Sequence, residues 1–268
     1  MRALPAIALL ALLAGCASPT EGLRRKADAL AAGAGMQAVQ LNAGMFNLLA
    51  YERIADASAP VHVYIEGDGN AWLASNMVSP DPTPLDPVAL KLALRDKAPN
   101  VVYLARVCQY VTSDTCSPRY WTYRQYGEET IGAYRQAMQR WQGRPLELTG
   151  YSGGAAVAML LAARLDNVAA IRTVAGNIDT DAFTTLHHIS PFSQSLNPAS
   201  VMERTARIPQ RHFVGEKDKV VPPSLIEAYQ ARLPAGNCSA YDIIPGLDHF
   251  TGWEEQWAGL LARPLPCR

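Results

Sequence analysis

The sequence has no excess of either charge and no block of basic residues. Its 24 lysines and arginines balance 24 aspartates and glutamates over 268 residues. Proteins that bind nucleic acid usually carry a basic patch or stripe, so nucleic acid is not an expected partner. The chain also lacks an internal repeat and a low-complexity tail, which excludes a solenoid and a long disordered extension.

Long apolar runs are absent except at the N-terminus. Residues 3–14 form an apolar run directly after Met1 and Arg2. A run of about a dozen residues is too short to span a bilayer, but it has the length of the apolar region of a secretory signal. No other stretch of the sequence is predicted to form a transmembrane helix.

The end of this run, with the sequence LAGC at 13–16, resembles the bacterial lipobox. In a lipobox the cysteine becomes the lipidated first residue of the mature protein. Cys16 is therefore predicted to carry a lipid anchor, and residues 1–15 are predicted to be the signal peptide. Residue Ala17 is not aspartate, which favours the outer membrane of a bacterial envelope over the inner membrane. The alternative is an ordinary secretory signal in which Cys16 is incidental.

The rest of the chain has the composition of one folded domain. Hydrophobic residues make up 49% of the sequence, which is enough to bury one sizeable core. Residues 36–268 are predicted to form this domain, and residues 16–35 are predicted to be a tether between it and the lipid.

Strand-like and helical patterns alternate along the predicted domain. The strand-like runs lie near 38–42, 46–54, 61–66, 101–105, 146–151, 170–175, 211–214 and 239–244. The helical patterns lie near 87–96, 128–141, 155–165, 224–233 and 253–261. This alternation predicts a mainly parallel sheet with helices on both faces, entered through an antiparallel pair of strands.

The sequence GYSGG at 150–154 stands between a strand-like run and an alanine-rich helical pattern at 155–164 that is interpreted as amphipathic. A serine in a sharp strand-to-helix turn needs neighbours without side chains, and Gly150 and Gly154 supply them. The N–H groups at the start of the helix would also favour a developing negative charge beside Ser152. The alternative is an ordinary glycine-rich turn between a strand and a helix.

Two later segments extend this pattern. The sequences GEKDKVVP at 215–222 and GLDHF at 246–250 each follow a strand-like run. With the G-x-S-x-G turn before them, they resemble the α/β-hydrolase family, whose triad runs in the order serine, acid, histidine. The resemblance extends from about residue 36 to the C-terminus. It implies the α/β-hydrolase fold, with a mainly parallel central sheet of about eight strands covered by helices on both faces.

The resemblance also implies the roles of three side chains. Ser152 would be the nucleophile, His249 the general base and Asp218 the acid that orients the histidine. Asp179 and Asp181 follow the preceding strand-like run, where some hydrolases place their acid, and they remain the alternative to Asp218.

The loop after the strand-like run at 61–65 is the candidate oxyanion hole. In the family, one oxyanion N–H group comes from this loop, so the resemblance implies the backbone N–H groups of Asp68 and Gly153 as donors. Glu66 stands where histidine is common. The carboxylate of Asp68 would oppose a negative charge unless it points away or binds a cationic group. The alternative is a plain glycine-containing turn.

The cysteine content agrees with export to an oxidising compartment. Removing a lipidated Cys16 leaves an even set of four, namely Cys108, Cys116, Cys238 and Cys267. The fold implied by the resemblance places the first two at the end of the sheet that carries the active site and the last two at the opposite end. It therefore implies the disulfides Cys108–Cys116 and Cys238–Cys267.

The loop at 109–126 is the main clue to the substrate. It is rich in aromatic and basic residues, namely Tyr110, Arg119, Tyr120, Trp121, Tyr123, Arg124 and Tyr126. Such a loop is suited to bind an apolar group that bears a carboxylate or phosphate, unless its aromatic rings pack against the scaffold. No long apolar lid is present, which argues against a lipase that needs interfacial activation.

The predicted function is that of a lipid-anchored envelope serine hydrolase, which cleaves an ester or related acyl bond through an acyl-enzyme. Its expected partners are a small-molecule acyl substrate and the membrane that holds its anchor, and a monomer is expected. Neither a cofactor nor a metal is expected. The alternatives are a serine peptidase or amidase, and a catalytically idle binding lipoprotein with a hydrolase-like fold.

Overall fold

The strand-like runs of the sequence come together in one central sheet. The computed structural model describes residues 19–268, which contain the strands β1 (Gln37–Ala43), β2 (Phe46–Ile54), β3 (Val61–Ile65), β4 (Trp72–Ala74), β5 (Met77–Val78), β6 (Asn100–Leu104), β7 (Leu146–Tyr151), β8 (Val168–Val174), β9 (Gln210–Gly215) and β10 (Ser239–Ile244). Eight of them form a sheet in the order β1-β2-β6-β3-β7-β8-β9-β10, and β4 pairs with β5 in a separate hairpin. The predicted sheet of about eight strands is confirmed.

Strand β2 is the one strand of this sheet that runs against the others. It pairs antiparallel with β1 and with β6, whereas the other neighbouring strands pair in parallel. The carboxyl ends of the parallel strands therefore meet at one edge, which is called the carboxyl edge below. Open α/β sheets build their ligand sites at this edge.

The helices cover both faces of the sheet, as predicted. They are α1 (Pro19–Gly33), α2 (Val88–Arg95), α3 (Glu128–Met138), α4 (Gly153–Ala162), α5 (Thr180–Leu186), α6 (Met202–Thr205), α7 (Pro223–Ala231) and α8 (Trp253–Leu261). Helices α3, α4 and α7 contribute to the core on one face, and α1, α2 and α8 contribute to the core on the other. Within residues 19–268, no helix has the length and apolar character needed to cross a membrane.

The two faces of β3 show how the sequence builds both cores. Val61, Val63 and Ile65 are fully buried and pack into one core, whereas Tyr64 is buried in the other. Successive side chains of a strand point to opposite faces, so a strand covered on both sides carries apolar residues that face both ways.

Helix α4 differs from the sequence prediction. The segment was expected to be amphipathic, but all ten of its residues are buried. It packs against β7 and β8, and it also contacts α3. A helix that is enclosed on all sides has no polar face, and its glycine and alanine residues allow the close approach.

Helix α1 is the second difference. It covers most of the segment 16–35 that was predicted to be a tether, and it packs against the domain through the buried Ala27 and Ala31. The Tyr51 hydroxyl on β2 donates to the Asp28 carboxylate at 2.8 Å. This segment is therefore part of the folded unit from Pro19 onwards. The predicted signal peptide and Cys16 lie outside the described residues.

Two disulfides join the cysteine pairs that the resemblance implied. Cys108 and Cys116 are bonded in the loop after β6, at the carboxyl edge. Cys238 directly precedes β10, and the chain after α8 returns to the opposite edge of the sheet, where Cys267 is bonded to it.

The second disulfide should contribute to stability. We expect Cys238→Ser/Cys267→Ser to lower the free energy of unfolding by about 2–4 kcal/mol, because a crosslink that encloses many residues restricts the unfolded chain. Urea denaturation of the oxidised wild type and the double variant measures the difference. Reducing agent should destabilise the wild type more than this variant. Equal denaturation midpoints for the two proteins would contradict the expectation.

Candidate active site

Ser152 occupies the turn that joins β7 to α4 at the carboxyl edge. Its backbone has φ 49° and ψ −120°, a conformation that residues with a side chain rarely adopt. Its N–H donates to the carbonyl of Val174 at 2.9 Å, and its carbonyl accepts from the N–H of Asn177 at 3.1 Å. The end of β8 and the loop after it therefore hold the turn in this strained shape.

The glycines on either side of Ser152 are required by close packing. A Cβ atom at Gly150 would lie 2.4 Å from the Cα atom of Ala155. A Cβ atom at Gly154 would lie 2.2 Å from the carbonyl oxygen of Ile65. These distances are well inside van der Waals contact, so the sequence inference that both positions need glycine holds.

The side chains of Ser152, His249 and Asp218 form one hydrogen-bonded chain. The distance from Ser152 Oγ to His249 Nε2 is 3.0 Å, and His249 Nδ1 lies 2.8 Å from Asp218 Oδ2. His249 follows β10 and Asp218 follows β9, so the parallel sheet brings both residues to the same edge as Ser152. With the imidazole proton on Nδ1 directed to the carboxylate, Nε2 is free to accept from the serine hydroxyl.

The carboxylate of Asp218 is fixed by the backbone of its own loop. Its Oδ1 accepts from the N–H groups of Val220 and Val221, at 2.8 and 2.7 Å. This leaves Oδ2 for His249. The carboxylate is almost fully buried, so its orientation toward the imidazole is well defined.

The alternative acids are engaged elsewhere or exposed. Asp179 caps α5, where its Oδ1 accepts from the Ala182 N–H at 3.2 Å, and its Oδ2 pairs with Arg232. Asp181 lies in the first turn of α5 and is exposed. Among these acids, only Asp218 contacts His249.

Two other histidines of the sheet have structural partners. His62 pairs with Asp96 at 2.6 Å. His212 is fully buried, its Nδ1 lies 2.8 Å from Thr173 Oγ1, and burial lowers its pKa to about 3. Within residues 19–268, no group of three or more acidic, histidine or cysteine side chains is placed to hold a metal ion.

The loop after β3 is held rigidly beside Ser152. The Gln109 side chain donates to the Gly67 carbonyl at 3.0 Å, and the Asn70 N–H donates to the carbonyl of Pro82 at 3.0 Å. The N–H groups of Asp68 and Gly153, predicted as oxyanion donors, have no acceptor among the described residues. Two rigidly held N–H groups near Ser152 are therefore available to a ligand.

The carboxylate of Asp68 is paired with a buried cation. Its Oδ1 accepts from Arg106 at 2.9 Å and from the Tyr126 hydroxyl at 3.3 Å. Arg106 is 3% exposed and also donates to the carbonyl of Gln125. A Cβ atom at Gly153 would lie 1.8 Å from Asp68 Oδ1, so a larger residue there would displace the Asp68 carboxylate. The pairing resolves the difficulty that the sequence raised for this carboxylate, because Arg106 offsets its negative charge.

Glu66 is a second buried carboxyl at the site. Its Oε1 accepts from the Gly67 N–H at 2.9 Å and from the Ala89 N–H, at the start of α2, at 3.3 Å. Its Oε2 is buried without a hydrogen-bond partner among the described residues. Burial raises the pKa of this carboxyl to about 7. Glu66 thus orients the first peptide of the loop after β3.

Two adjoining cavities open at the site. One, of about 410 Å³, is lined by Ser152 and His249, and the apolar side chains of Leu85 and Phe250 border it. The other, of about 1080 Å³, extends away from Ser152. Asp68 lines both cavities. A ligand that reacts at Ser152 therefore has room for a larger group beyond Asp68.

The sequence left open whether the aromatic rings of the loop at 109–126 pack against the scaffold or face a ligand, and the structure shows both arrangements. Tyr110, Tyr120, Trp121 and Tyr126 are buried, so most of its aromatic rings pack within the protein. Its surface nevertheless lines the larger cavity through Arg119, Trp121 and Tyr123. Arg124 pairs with Glu129 and does not line either cavity.

Sequence reasoning missed the groups that support the oxyanion loop. Arg106 and Gln109 lie within five residues of the end of β6. Their position after a parallel strand is the signal that could have indicated them. The hairpin of β4 and β5, which borders the larger cavity through Trp72 and Val78, was also missed. Its strands are two and three residues long, too short for a periodic pattern.

Solved structures share this architecture. An α/β serine hydrolase homologue from Coxiella burnetii is 15% identical, with a TM-score of 0.55 over 84% of this chain and 93% of that one. Est1E from Butyrivibrio proteoclasticus, solved with ferulic acid bound, is 13% identical, with a TM-score of 0.62 over 83% of this chain and 97% of that one.

A third such structure is the acylaminoacyl peptidase from Pyrococcus horikoshii. It is 12% identical with a TM-score of 0.60, and the match covers 83% of this chain but only 38% of the peptidase. Neither the family models nor the curated protein sequences match this chain. At these identities the likeness establishes the α/β-hydrolase fold, and the predicted fold class is confirmed.

The buried carboxyl of Glu66 should make stability depend on pH. Burial raises its pKa in the folded protein to about 7, from an ordinary value of 4.5. The folded state therefore binds the proton more tightly, and the stability that this group contributes below pH 4.5 is lost as pH rises through 7. Between pH 4.5 and pH 8, we expect the free energy of unfolding of the wild type to fall by about 3 kcal/mol relative to that of Glu66→Gln.

Urea denaturation of both proteins across this pH range measures the difference. Glu227, which is exposed on α7, offers a matched control. Its carboxyl stays in water in the folded and unfolded states, so Glu227→Gln should give a curve parallel to that of the wild type. Parallel curves for Glu66→Gln and the wild type would show that burial does not perturb Glu66.

Proposed function

We propose that the protein is a serine hydrolase that cleaves an ester or related acyl bond through a covalent acyl-enzyme. The observation that carries the proposal is the hydrogen-bonded chain of Ser152, His249 and Asp218 beside two free backbone N–H groups. A nucleophile, a base, an orienting acid and oxyanion donors are the parts that acyl transfer requires. The shared fold of hydrolases and a peptidase supports the same reaction class.

In the first half of the reaction, Ser152 Oγ attacks the carbonyl carbon of the substrate while His249 Nε2 takes the hydroxyl proton. Asp218 stabilises the imidazolium that forms and keeps its ring oriented. The carbonyl oxygen becomes an oxyanion that accepts hydrogen bonds from the N–H groups of Asp68 and Gly153. His249 then gives its proton to the leaving oxygen, the bond to that oxygen breaks, and the acyl group remains on Ser152.

In the second half, water attacks the acyl-enzyme. His249 removes a proton from the water, a second tetrahedral oxyanion forms in the same place, and the proton returns to Ser152 Oγ as the acid product leaves. Because every proton passes through His249, the cycle ends with Ser152 protonated and His249 neutral, as it began.

Arg106 gives the oxyanion hole its electrostatic balance. The Asp68 N–H is proposed to bind an oxyanion, and the carboxylate of the same residue would repel it. The buried Arg106 donates to that carboxylate at 2.9 Å, and its positive charge offsets the repulsion. The Asp68 side chain is therefore interpreted as a support of the loop and not as a general base.

A serine peptidase or amidase is the second candidate, because a triad does not by itself choose between ester and amide bonds. The structural likeness to an acylaminoacyl peptidase favours testing it. A matched ester and amide with the same acyl group separate the two reactions. A binding lipoprotein without activity is disfavoured, since such a protein has no need for a strained serine at hydrogen-bond distance from a histidine.

We further propose that Cys16 carries a lipid that holds the enzyme in the bacterial envelope, with the outer membrane as the favoured destination. The lipobox-like sequence LAGC at 13–16 supports this proposal. The two disulfides are consistent with an oxidising compartment.

The triad predicts a specific pattern of losses. Ser152→Ala and His249→Ala should each lower kcat for a small activated ester by at least about 10⁴-fold, and the double variant should lose little more, because the residues act as a unit. Asp218→Asn should lose up to about 10⁴-fold by trapping the wrong imidazole tautomer. Single-turnover kinetics with p-nitrophenyl acetate measure these effects.

The alternative acid provides the matched control. Asp181→Asn, on the exposed first turn of α5, should keep the activity of the wild type. A fluorophosphonate should label the wild type at Ser152, and Ser152→Ala should stay unlabelled. A folded wild type that neither reacts with this probe nor hydrolyses the ester would overturn the proposed hydrolase.

Lipidation predicts where the protein is found. Cys16→Ser should abolish incorporation of labelled palmitate in a bacterial host and transfer most of the protein from the membrane to the soluble fraction, because stable attachment needs acyl chains on the protein. Ser18→Ala, which leaves the cysteine in place, is the control and should stay lipidated. Labelling that persists in Cys16→Ser would exclude this cysteine as the anchor.

A further inference from the structure

The two cavities open to solvent at the carboxyl edge, and this opening is called the mouth of the site below. Exposed apolar side chains surround it. Trp72, Leu73 and Met77 on the β4–β5 hairpin are 50–55% exposed. Leu85 and Phe250, which border the cavity at Ser152, are also exposed. Single exposed apolar residues are common, but a group of them around one opening indicates a surface that contacts something apolar.

Helix α1 begins at the same edge of the molecule. The Thr20 hydroxyl, in its first turn, donates to Asp81 at 2.5 Å. Asp81 belongs to the loop in which the Pro82 carbonyl accepts from Asn70 of the oxyanion loop. The C-terminal end of α1 lies at the opposite edge of the sheet, where Arg53 donates to the Ala34 carbonyl. The chain therefore enters the domain beside the mouth of the site.

Covalent geometry limits how far the anchor is from this mouth. Cys16 precedes Thr20 by four residues, and each residue of an extended chain spans about 3.3–3.6 Å. The Cα atoms of Cys16 and Thr20 are thus no more than about 14 Å apart. Any lipid on Cys16 must insert into a bilayer close to the edge of the domain that carries Ser152.

We propose that the active-site mouth faces the bilayer that holds the anchor, with the β4–β5 hairpin in contact with lipid. The substrate is then an amphiphilic acyl ester held in that membrane, which enters through the mouth. This inference rests on the proposed hydrolase activity and on the proposed lipid at Cys16. The orientation follows from the position of Thr20 and the exposed hairpin, which are independent of the chemistry.

The larger cavity agrees with such a substrate. It is about 1080 Å³ in volume and is lined by apolar side chains of the hairpin and its surroundings, including Ala71, Val78 and Phe192. Trp72 stands both on the exposed hairpin and in the wall of this cavity. An acyl chain could pass from lipid into the cavity without crossing open water, which lowers the cost of extraction.

The anchor also explains why a small apolar surface is sufficient. The short chain between the anchor and Thr20 holds this edge of the domain at a high effective concentration near the bilayer. Contacts that would be too weak to recruit a soluble protein are then enough to orient an anchored one.

Tryptophan fluorescence tests the orientation without using activity. The lipidated full-length protein is reconstituted in phosphatidylethanolamine–phosphatidylglycerol vesicles, with and without brominated acyl chains, which quench fluorescence on contact. Trp72 is half exposed, and the other four tryptophans are buried, namely Trp121, Trp141, Trp253 and Trp257. We expect strong quenching in the wild type and the loss of most of it in Trp72→Phe, with the remainder due to Trp121, which lines the larger cavity. Unquenched wild type, or equal quenching of Trp72→Phe, would overturn the proposal.

Activity tests the route of the substrate. Leu73→Ser/Met77→Ser changes the hairpin at two positions that line neither cavity. We expect about tenfold slower hydrolysis of a long-chain ester embedded in the vesicles, as lost lipid contacts of two such side chains imply, and unchanged hydrolysis of p-nitrophenyl acetate. Ile54→Ser, similarly exposed at the opposite edge, should leave both rates unchanged.

Fluorescence quenching and ester hydrolysis distinguish a failure of the proposed orientation from a failure of the proposed hydrolase activity. A wild type that hydrolyses neither ester contradicts the proposed hydrolase, whereas quenching of Trp72 still reports the orientation. Equal losses on the embedded and soluble esters in Leu73→Ser/Met77→Ser would overturn the membrane route. Equal losses in Ile54→Ser would do the same, since that residue is placed away from the mouth.

Discussion

The site depends on one backbone constraint, the sharp turn at Ser152 between β7 and α4. Its positive φ is a conformation that costs about 1–3 kcal/mol for a residue with a side chain, and it persists because the surroundings leave no alternative. The turn lifts the hydroxyl out of the sheet toward His249 and leaves the Gly153 N–H free at the start of α4. The position of the proposed nucleophile and one proposed oxyanion donor therefore come from the same strained turn.

The same turn sets the electrostatics around it. Glycine at 153 leaves room for the carboxylate of Asp68, which a side chain there would displace. That carboxylate is acceptable beside the proposed oxyanion because Arg106 is buried and pairs with it. Burying an arginine without a partner costs free energy, so removing the Asp68 carboxylate would leave Arg106 unpaired and destabilise the fold. Backbone strain, close packing and charge balance are thus linked through four residues, namely Ser152, Gly153, Asp68 and Arg106.

Much of the fold and of the candidate site could be predicted from the sequence, because local residue patterns indicate them. The strands, the nucleophile turn and the order of Ser152, Asp218 and His249 each have a signature within a few residues. The pairing of Asp68 with Arg106 has none, since 38 residues separate them and only the sheet brings them together. Helix α1 was not predicted because its segment was interpreted as a tether, although Ala27 and Ala31 have the i, i+4 spacing of a buried helical stripe.

The packing of α1 changes what the N-terminus does. A flexible tether of twenty residues would let the domain take any orientation above a membrane. A helix that is docked from Pro19 onwards and hydrogen-bonded at Thr20 fixes where the chain leaves the domain. Any anchor that precedes it by a few residues is then a constraint on orientation as well as on location. The exit point lies at the carboxyl edge, so the sheet topology that assembles Ser152, Asp218 and His249 also determines which surface an anchor would hold against the lipid.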